Sequence, residues 1–115
     1  MSENPIADKS YNFALNIVEF YKQSTEGKYD KPISKQLLRS GTSIGANISE
    51  AQDAQSAADF KSKMSIALKE ARESEYWINL LHDAHYMSKD TFSFLQPTVK
   101  EIIRLLTAIV KHTKT

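Results

Sequence analysis

Residues 32–53 read PISKQLLRSGTSIGANISEAQD, and the pattern of this stretch decides the fold class. Its apolar side chains recur at intervals of three, four and seven residues, the spacing of one face of an α-helix. These apolar positions are Ile33, Leu37, Ile44, Ile48 and Ala51. The same stretch is rich in small residues, namely Ser40, Gly41, Ser43, Gly45 and Ser49. We predict one helix whose two interior glycines are offset by a close helix contact.

Three more stretches show helical periodicity and are joined by short links. Their bounds are about 5–24 for the first helix, Ser56 to Tyr86 for the third, and a start after Ser88 or Asp90 for the fourth. Ser56 is a good N-cap, and Pro97 predicts a kink or a break in the fourth helix. Because the links are about four to eight residues long, sequential helices should be antiparallel. The predicted fold is all-α, an antiparallel up-down-up-down four-helix bundle.

The composition is that of an ordinary soluble protein. A chain of 115 residues is long enough for one core, so we expect a single domain over residues 1–115. The absence of cysteine excludes disulfides, thiolate nucleophiles and thiolate metal sites. The N-terminus lacks a signal-peptide pattern, and no apolar run approaches the roughly 18 residues of a membrane span. We therefore expect a cytoplasmic protein that does not enter membranes.

The sequence shows no pattern of catalytic or cofactor-binding residues. A di-metal site in a four-helix bundle needs Glu-x-x-His pairs, and this sequence has none. Gly41 to Gly45 is not a phosphate loop, because no Lys-Ser or Lys-Thr pair follows it. His82 and His85 could face one metal ion, but we favour the simpler interpretation that they complement a helix C-terminus. We predict no enzyme activity, no metal and no cofactor.

Two surface features indicate self-association. Gly41, Gly45 and Ser49 form a small-residue stripe that lets another helix approach, either within the chain or from a second subunit. Trp77 lies off the inner stripe of the third helix and aligns with Ile66, which predicts a second apolar surface. We predict a homo-oligomer whose subunit interface includes the stripe and Trp77.

The last helix carries the basic residues that could contact nucleic acid. The net charge of the whole chain is only +1, which gives no general reason to expect strong nucleic-acid binding. Residues 87–115 nevertheless carry five basic and two acidic side chains. The candidate contacts are Lys100, Arg104, Lys111 and Lys114. Such a stripe is more commonly the solvated side of an amphipathic helix, so both interpretations stay open.

The second and third helices carry a family pattern. It consists of RSGTSIGANISEA at residues 39–51, SAADF at 56–60, IALKEA at 66–71 and EYWINLL at 75–81. This pattern resembles the bacterial four-helix-bundle protein family, whose founding members are encoded in intervening sequences of 23S ribosomal RNA genes. The resemblance covers about residues 10–110.

The resemblance implies a homo-oligomer, typically a pentameric ring, without an established catalytic site. It also implies kinship with the accessory proteins of diversity-generating retroelements, which contact a reverse transcriptase and nucleic acid. Those accessory proteins are decidedly basic, whereas this chain is nearly neutral. We therefore expect a non-enzymatic oligomeric scaffold that recruits a protein or RNA partner. The alternative is a nucleic-acid-binding accessory factor that uses the basic last helix.

Polar positions of the family pattern are expected to lock the second helix to the third. The residues predicted to form this partly buried network are Arg39, Asn47, Glu50 and Glu75. Glu70 and Glu73 lie one turn apart, with basic neighbours beside them, which disfavours a catalytic carboxylate pair. We expect these two carboxylates to be solvated or to pair with a residue such as Arg39.

Overall fold

The computed structural model of the protein describes residues 4–24 and 31–115. This part of the chain contains no strand and forms the helices α1 (Pro5–Ser24), α2 (Lys31–Ala51), α3 (Ala57–Asp83) and α4 (Lys89–His112). The all-α prediction is therefore confirmed, and the bounds agree with the predicted ones to within about three residues.

Each helix packs against two neighbours, in the cyclic order α1, α2, α3, α4. Side-chain contacts show that neighbours run in opposite directions. Between α2 and α3, Arg39 contacts Glu70, whereas Glu50 later in α2 contacts Lys63 earlier in α3. The described helices form the predicted up-down-up-down bundle, which is 45 Å long and 26 by 20 Å across.

One apolar core runs along the bundle. Because an α-helix repeats every 3.6 residues, each helix contributes a stripe of buried side chains spaced by three and four. The largest fully buried side chains are Phe13, Ile17, Leu37, Ile44, Ile48, Met64, Ile78, Leu81, Leu95, Val99, Ile102 and Leu106. Burial of each contributes roughly 1.5–3 kcal/mol. Phe60, Ile103 and Val110, which the periodicity also assigned to the core, are half-buried because they lie at its ends and margins.

The two ends of α3 explain its bounds. Ser56 Oγ accepts a hydrogen bond from the Asp59 N–H at 3.0 Å, which confirms the predicted N-cap. At the other end, the Tyr86 N–H donates to the Leu81 carbonyl at 2.8 Å. This bond closes a Schellman turn, in which His85 takes the left-handed backbone conformation with a φ of 68°. The helix therefore ends three residues earlier than predicted.

Pro97 lies inside α4 and does not break it. The helix is continuous from Lys89 to His112. Pro97 is exposed, so the Ser93 carbonyl that it leaves without an intrahelical donor can bond to water. None of the helices in the described part of the chain combines the length and apolarity needed to cross a membrane.

Candidate functional site

The most connected polar cluster joins α2 to α3. Arg39 Nη1 lies 3.1 Å from Glu70 Oε2, and Arg39 Nη2 contacts Glu73 Oε2. The two carboxylates lie one turn apart, so a single guanidinium reaches both. The Glu70 side chain is only 15% exposed, whereas that of Arg39 is 48% exposed. We call these three residues the Arg39 clamp. Of the two outcomes expected for these glutamates, solvation or pairing with a residue such as Arg39, the structure shows pairing.

The clamp also orients the single tryptophan. Glu73 Oε2 accepts a hydrogen bond from Trp77 Nε1 at 3.0 Å, and the indole ring packs half-buried against the core. Tyr76 meets this ring edge to face, with centroids 5.0 Å apart, and stays 60% exposed. The role of Trp77 at a subunit interface stays a prediction, and Tyr76 is the more exposed ring of the pair.

Two buried serines bridge the same helices. The Ser40 and Ser74 hydroxyl oxygens lie 2.9 Å apart, and Ser74 Oγ lies 2.8 Å from the Glu70 carbonyl oxygen. Ser40 can donate to Ser74 while Ser74 donates to this carbonyl, so both buried hydroxyls are satisfied. The sequence interpretation missed this contact. Its signal was the position of Ser74 between Ala71 and Ile78, at the spacing of the inner stripe.

The structure corrects the predicted polar network, whose members were Arg39, Asn47, Glu50 and Glu75. Asn47 Nδ2 donates to the Ser43 carbonyl of its own helix at 2.8 Å. Glu50 Oε1 lies 3.8 Å from Lys63 Nζ, about three turns away from the clamp. Glu75 makes no ion pair within residues 4–24 and 31–115. The four residues do not converge because Glu75 lies on the opposite side of α3 from the clamp.

The small-residue stripe of α2 faces α1. A Cβ on Gly41 would lie 3.0 Å from Ile17 Cγ1, closer than such atoms normally approach. A Cβ on Gly45 would lie 3.5 Å from Ser10 Oγ, an ordinary contact distance. Gly41 is buried within the chain, so its predicted place in a subunit interface is wrong. It serves instead to bring α1 close to α2.

A groove of about 540 Å³ opens outward between α1 and α2. It is lined by small or polar residues, including Ser10, Ala14, Gly45, Ala46 and Ser49. Beside it, α1 exposes an apolar strip made of Tyr11, Leu15 and Val18, with exposed fractions of 65%, 52% and 39%. We call the groove and this strip together the α1–α2 face. Contiguous exposed apolar surface of this kind marks interaction sites.

The four basic residues predicted to contact nucleic acid are all exposed. They are Lys100, Arg104, Lys111 and Lys114. The first three lie on one outward side of α4, and Lys114 follows the end of the helix. Arg104 Nη2 lies 3.8 Å from Glu101 Oε1, a weak surface contact that leaves the guanidinium 72% exposed. Their contact with nucleic acid stays a prediction.

The two histidines of α3 and its C-terminal turn do not converge. The His82 ring stacks on Phe92 with centroids 3.9 Å apart, and its Nδ1 lies 3.2 Å from Asp83 Oδ1. His85 is exposed in the turn that follows the helix. Within the described residues, no three His, Cys, Asp or Glu side chains group together in a way that could hold a metal ion.

Comparison with known proteins places this bundle in a family. Residues 2–108 match the family described as 23S rRNA-intervening sequence protein. The chain belongs to this family. The 23S rRNA-intervening sequence protein fold also matches the crystal structure of a protein of unknown function from the S23 ribosomal protein family of Bacteroides thetaiotaomicron VPI-5482. The two chains are 47% identical with a TM-score of 0.86, over 92% of this chain and 98% of that one.

Among curated proteins no significant match was found. The description of the 23S rRNA-intervening sequence protein family names no catalytic activity or cofactor, and neither does that of the Bacteroides protein. The predicted family is thus confirmed, while kinship with retroelement accessory proteins stays a prediction.

Proposed function

We propose that this 23S rRNA-intervening sequence protein is a non-enzymatic scaffold built from several copies of the same chain. The exposed apolar strip of the α1–α2 face carries this proposal. Tyr11, Leu15 and Val18 do not contribute to the buried core, although each is large and apolar. Their burial against a second copy contributes about 25 cal/mol for each Å² removed from water. The adjoining groove, lined by Gly45 and Ser49, allows a helix of that copy to approach closely.

A closed ring needs two different complementary surfaces on each chain. The α1–α2 face supplies one of them. The second is the outer part of α3 that carries the exposed Ile66 and the edge of the half-buried Trp77. We expect five copies in the ring, the number that the family resemblance implies. The surfaces left free would recruit a protein or RNA partner.

The test is the mass of the assembly in solution, measured by sedimentation equilibrium. We expect the wild-type chain to form a discrete oligomer at micromolar concentration, and Leu15→Glu to weaken its association at least about 100-fold, because a carboxylate would be buried without a partner. Phe94→Glu is the matched control, since Phe94 is exposed to 54% but lies on α4 outside the interface. A wild-type chain that stays monomeric contradicts the proposal, and so does equal dissociation of both variants.

A further inference from the structure

Lys and Arg side chains are unevenly distributed around α3, although over the whole chain 15 Lys and Arg nearly balance 14 Asp and Glu. On α3, the acidic Glu70 and Glu73 are directed toward Arg39 of α2. The basic residues that do not face α2 are Lys61, Lys69 and Arg72. Intervals of eight and three residues keep all three on one side of the helix. They form a row of positive charge that is not apparent from the net charge of the whole chain.

The row on α3 faces outward, next to α4. The contact between Glu70 and Arg39 defines the side of α3 that faces α2, and the stacking of His82 on Phe92 defines the side that faces α4. At about 100° per residue, Arg72 lies about 160° from Glu70 and about 80° from His82 around the helix axis. Lys61 and Arg72 therefore lie on the α4 half of the helix, whereas Lys69, about 100° from Glu70 and about 140° from His82, lies in the middle of its outer surface.

A second row, formed by Lys100, Arg104 and Lys111 on the outer side of α4, lies beside the row on α3. Antiparallel packing with His82 opposite Phe92 places Arg72, ten residues earlier, level with the α4 turn that carries Lys100 and Arg104. Because packed helices lie about 8–10 Å apart, long side chains from the two rows share one surface. We call this surface the α3–α4 face, formed by Lys61, Lys69, Arg72, Lys100, Arg104 and Lys111.

Little in the structure neutralises this face. Glu101 Oε2 lies 3.1 Å from Lys9 Nζ of α1, and Glu101 Oε1 makes only a weak 3.8 Å contact with Arg104, whose side chain stays 72% exposed. Glu75 lies half-buried between the rows and lowers the local charge by one. The cations lie within about one or two Debye lengths of one another at physiological salt, so they act together on a single polyanion.

We propose that the α3–α4 face binds the phosphate backbone of single-stranded nucleic acid. Two parallel rows of cations match a chain of repeating negative charges. Tyr76 lies one turn beyond Arg72 on the same side of α3 and exposes 60% of its surface, so its ring can stack on an unpaired base. An acidic protein segment offers no base for that ring, which is why nucleic acid is the better match. The α3–α4 face lies across the bundle from the α1–α2 face and stays accessible when that face is covered.

The test measures fluorescence anisotropy of a labelled 20-nucleotide RNA of mixed sequence, titrated with the full-length chain at 50 and 200 mM salt. About four phosphate contacts predict a log–log slope of roughly −3 for the association constant against salt. Arg72→Glu combined with Arg104→Glu should weaken binding at least about tenfold at low salt. Lys35→Glu together with Lys31→Glu makes the same charge change at exposed positions of α2 and should have a much smaller effect.

Tyr76→Ala should weaken binding about fivefold or more without changing the salt slope, and Tyr76→Phe should restore it, because stacking requires only the ring. Circular dichroism establishes that each variant is folded. If the chain binds no RNA at 50 mM salt, the proposal is overturned. It is also overturned if the two double charge variants lose RNA affinity equally. Equal binding of a polyglutamate peptide also overturns it, since the occupant would then be an acidic protein.

Discussion

The α1–α2 face and the α3–α4 face lie on opposite sides of one bundle and differ in almost every property of their side chains. The first presents Tyr11, Leu15 and Val18 beside a groove made by small residues. The second presents two rows of Lys and Arg with an exposed tyrosine at one end. Behind both faces the buried stripes are alike, spaced by three and four residues.

The outer positions of a helix are thus free to diverge once the inner stripe has formed the core. The helix pairs behind the two faces also pack differently. At Gly41 the Ile17 side chain of α1 packs directly against the backbone of α2, whereas the stacked rings of His82 and Phe92 join α3 to α4. Substitutions at these contacts test whether each pair is held together in the way that the structure shows.

The largest effect is expected for Gly41→Leu, which places a side chain where even a Cβ would lie 3.0 Å from Ile17. Forcing α1 away from α2 should lower the free energy of unfolding by about 3 kcal/mol. Gly45→Ala is the control, because its Cβ would make only ordinary contacts within the chain. With both glycine variants made in the Leu15→Glu background, which removes the proposed association, it should raise stability by about 0.5–1 kcal/mol. Urea denaturation at a fixed protein concentration measures both. A loss of equal size at the two glycines would show that Gly41 is not the point of closest approach.

For the other helix pair, Phe92→Ala removes the ring that stacks on His82. Because Phe92 is half-buried, we expect its truncation to cost about 2 kcal/mol in urea denaturation. Phe94→Ala makes the same chemical change two residues later at an exposed position and should stay within about 0.5 kcal/mol of the wild type. If the two variants are equally stable, the stacked contact does not hold α3 to α4.

A substitution in the turn between α3 and α4 should have a smaller effect and should stabilise the protein. His85 occupies a left-handed conformation that glycine adopts without steric cost, so His85→Gly should raise the free energy of unfolding by about 1 kcal/mol. Ala84 has a φ of −84°, so Ala84→Gly should give no such gain. Thermal and urea unfolding measure this difference. Destabilisation by His85→Gly would mean that the imidazole makes a contact more valuable than the relief of backbone strain.

The smallest effect is expected at the Arg39 clamp, which joins the α1–α2 helix pair to the α3–α4 helix pair. Arg39→Gln should lower the free energy of unfolding by only about 0.5 kcal/mol, because the guanidinium is half-exposed, and 1 M salt should reduce that difference. It should also shift the fluorescence of Trp77, whose indole N–H bonds to Glu73. Lys35→Gln, one turn earlier on α2, should leave the fluorescence unchanged. Identical spectra for both variants would mean that the clamp does not orient the indole.

Much of the fold was predictable, because apolar residues at helical spacing report directly on burial. Leu37, Ile44 and Ile48 were assigned to the core from their spacing alone, and each is fully buried. The partners of polar side chains were harder to predict. Arg39 was expected in a network with Glu75 and instead binds Glu70 and Glu73, since a shift of two residues turns a side chain to the other half of the helix.

The four helices, their antiparallel order, the buried stripes and the family could all be inferred from the amino-acid sequence, because these follow from local periodicity, short links and recognisable motifs. The packing of the helices was needed to show that Gly41 faces Ile17 rather than another subunit, and that the cations of α3 lie beside those of α4. Spacing along the sequence gives only the angle of a side chain around the axis of its own helix. The rotation and register of the neighbouring helix decide what that side chain meets.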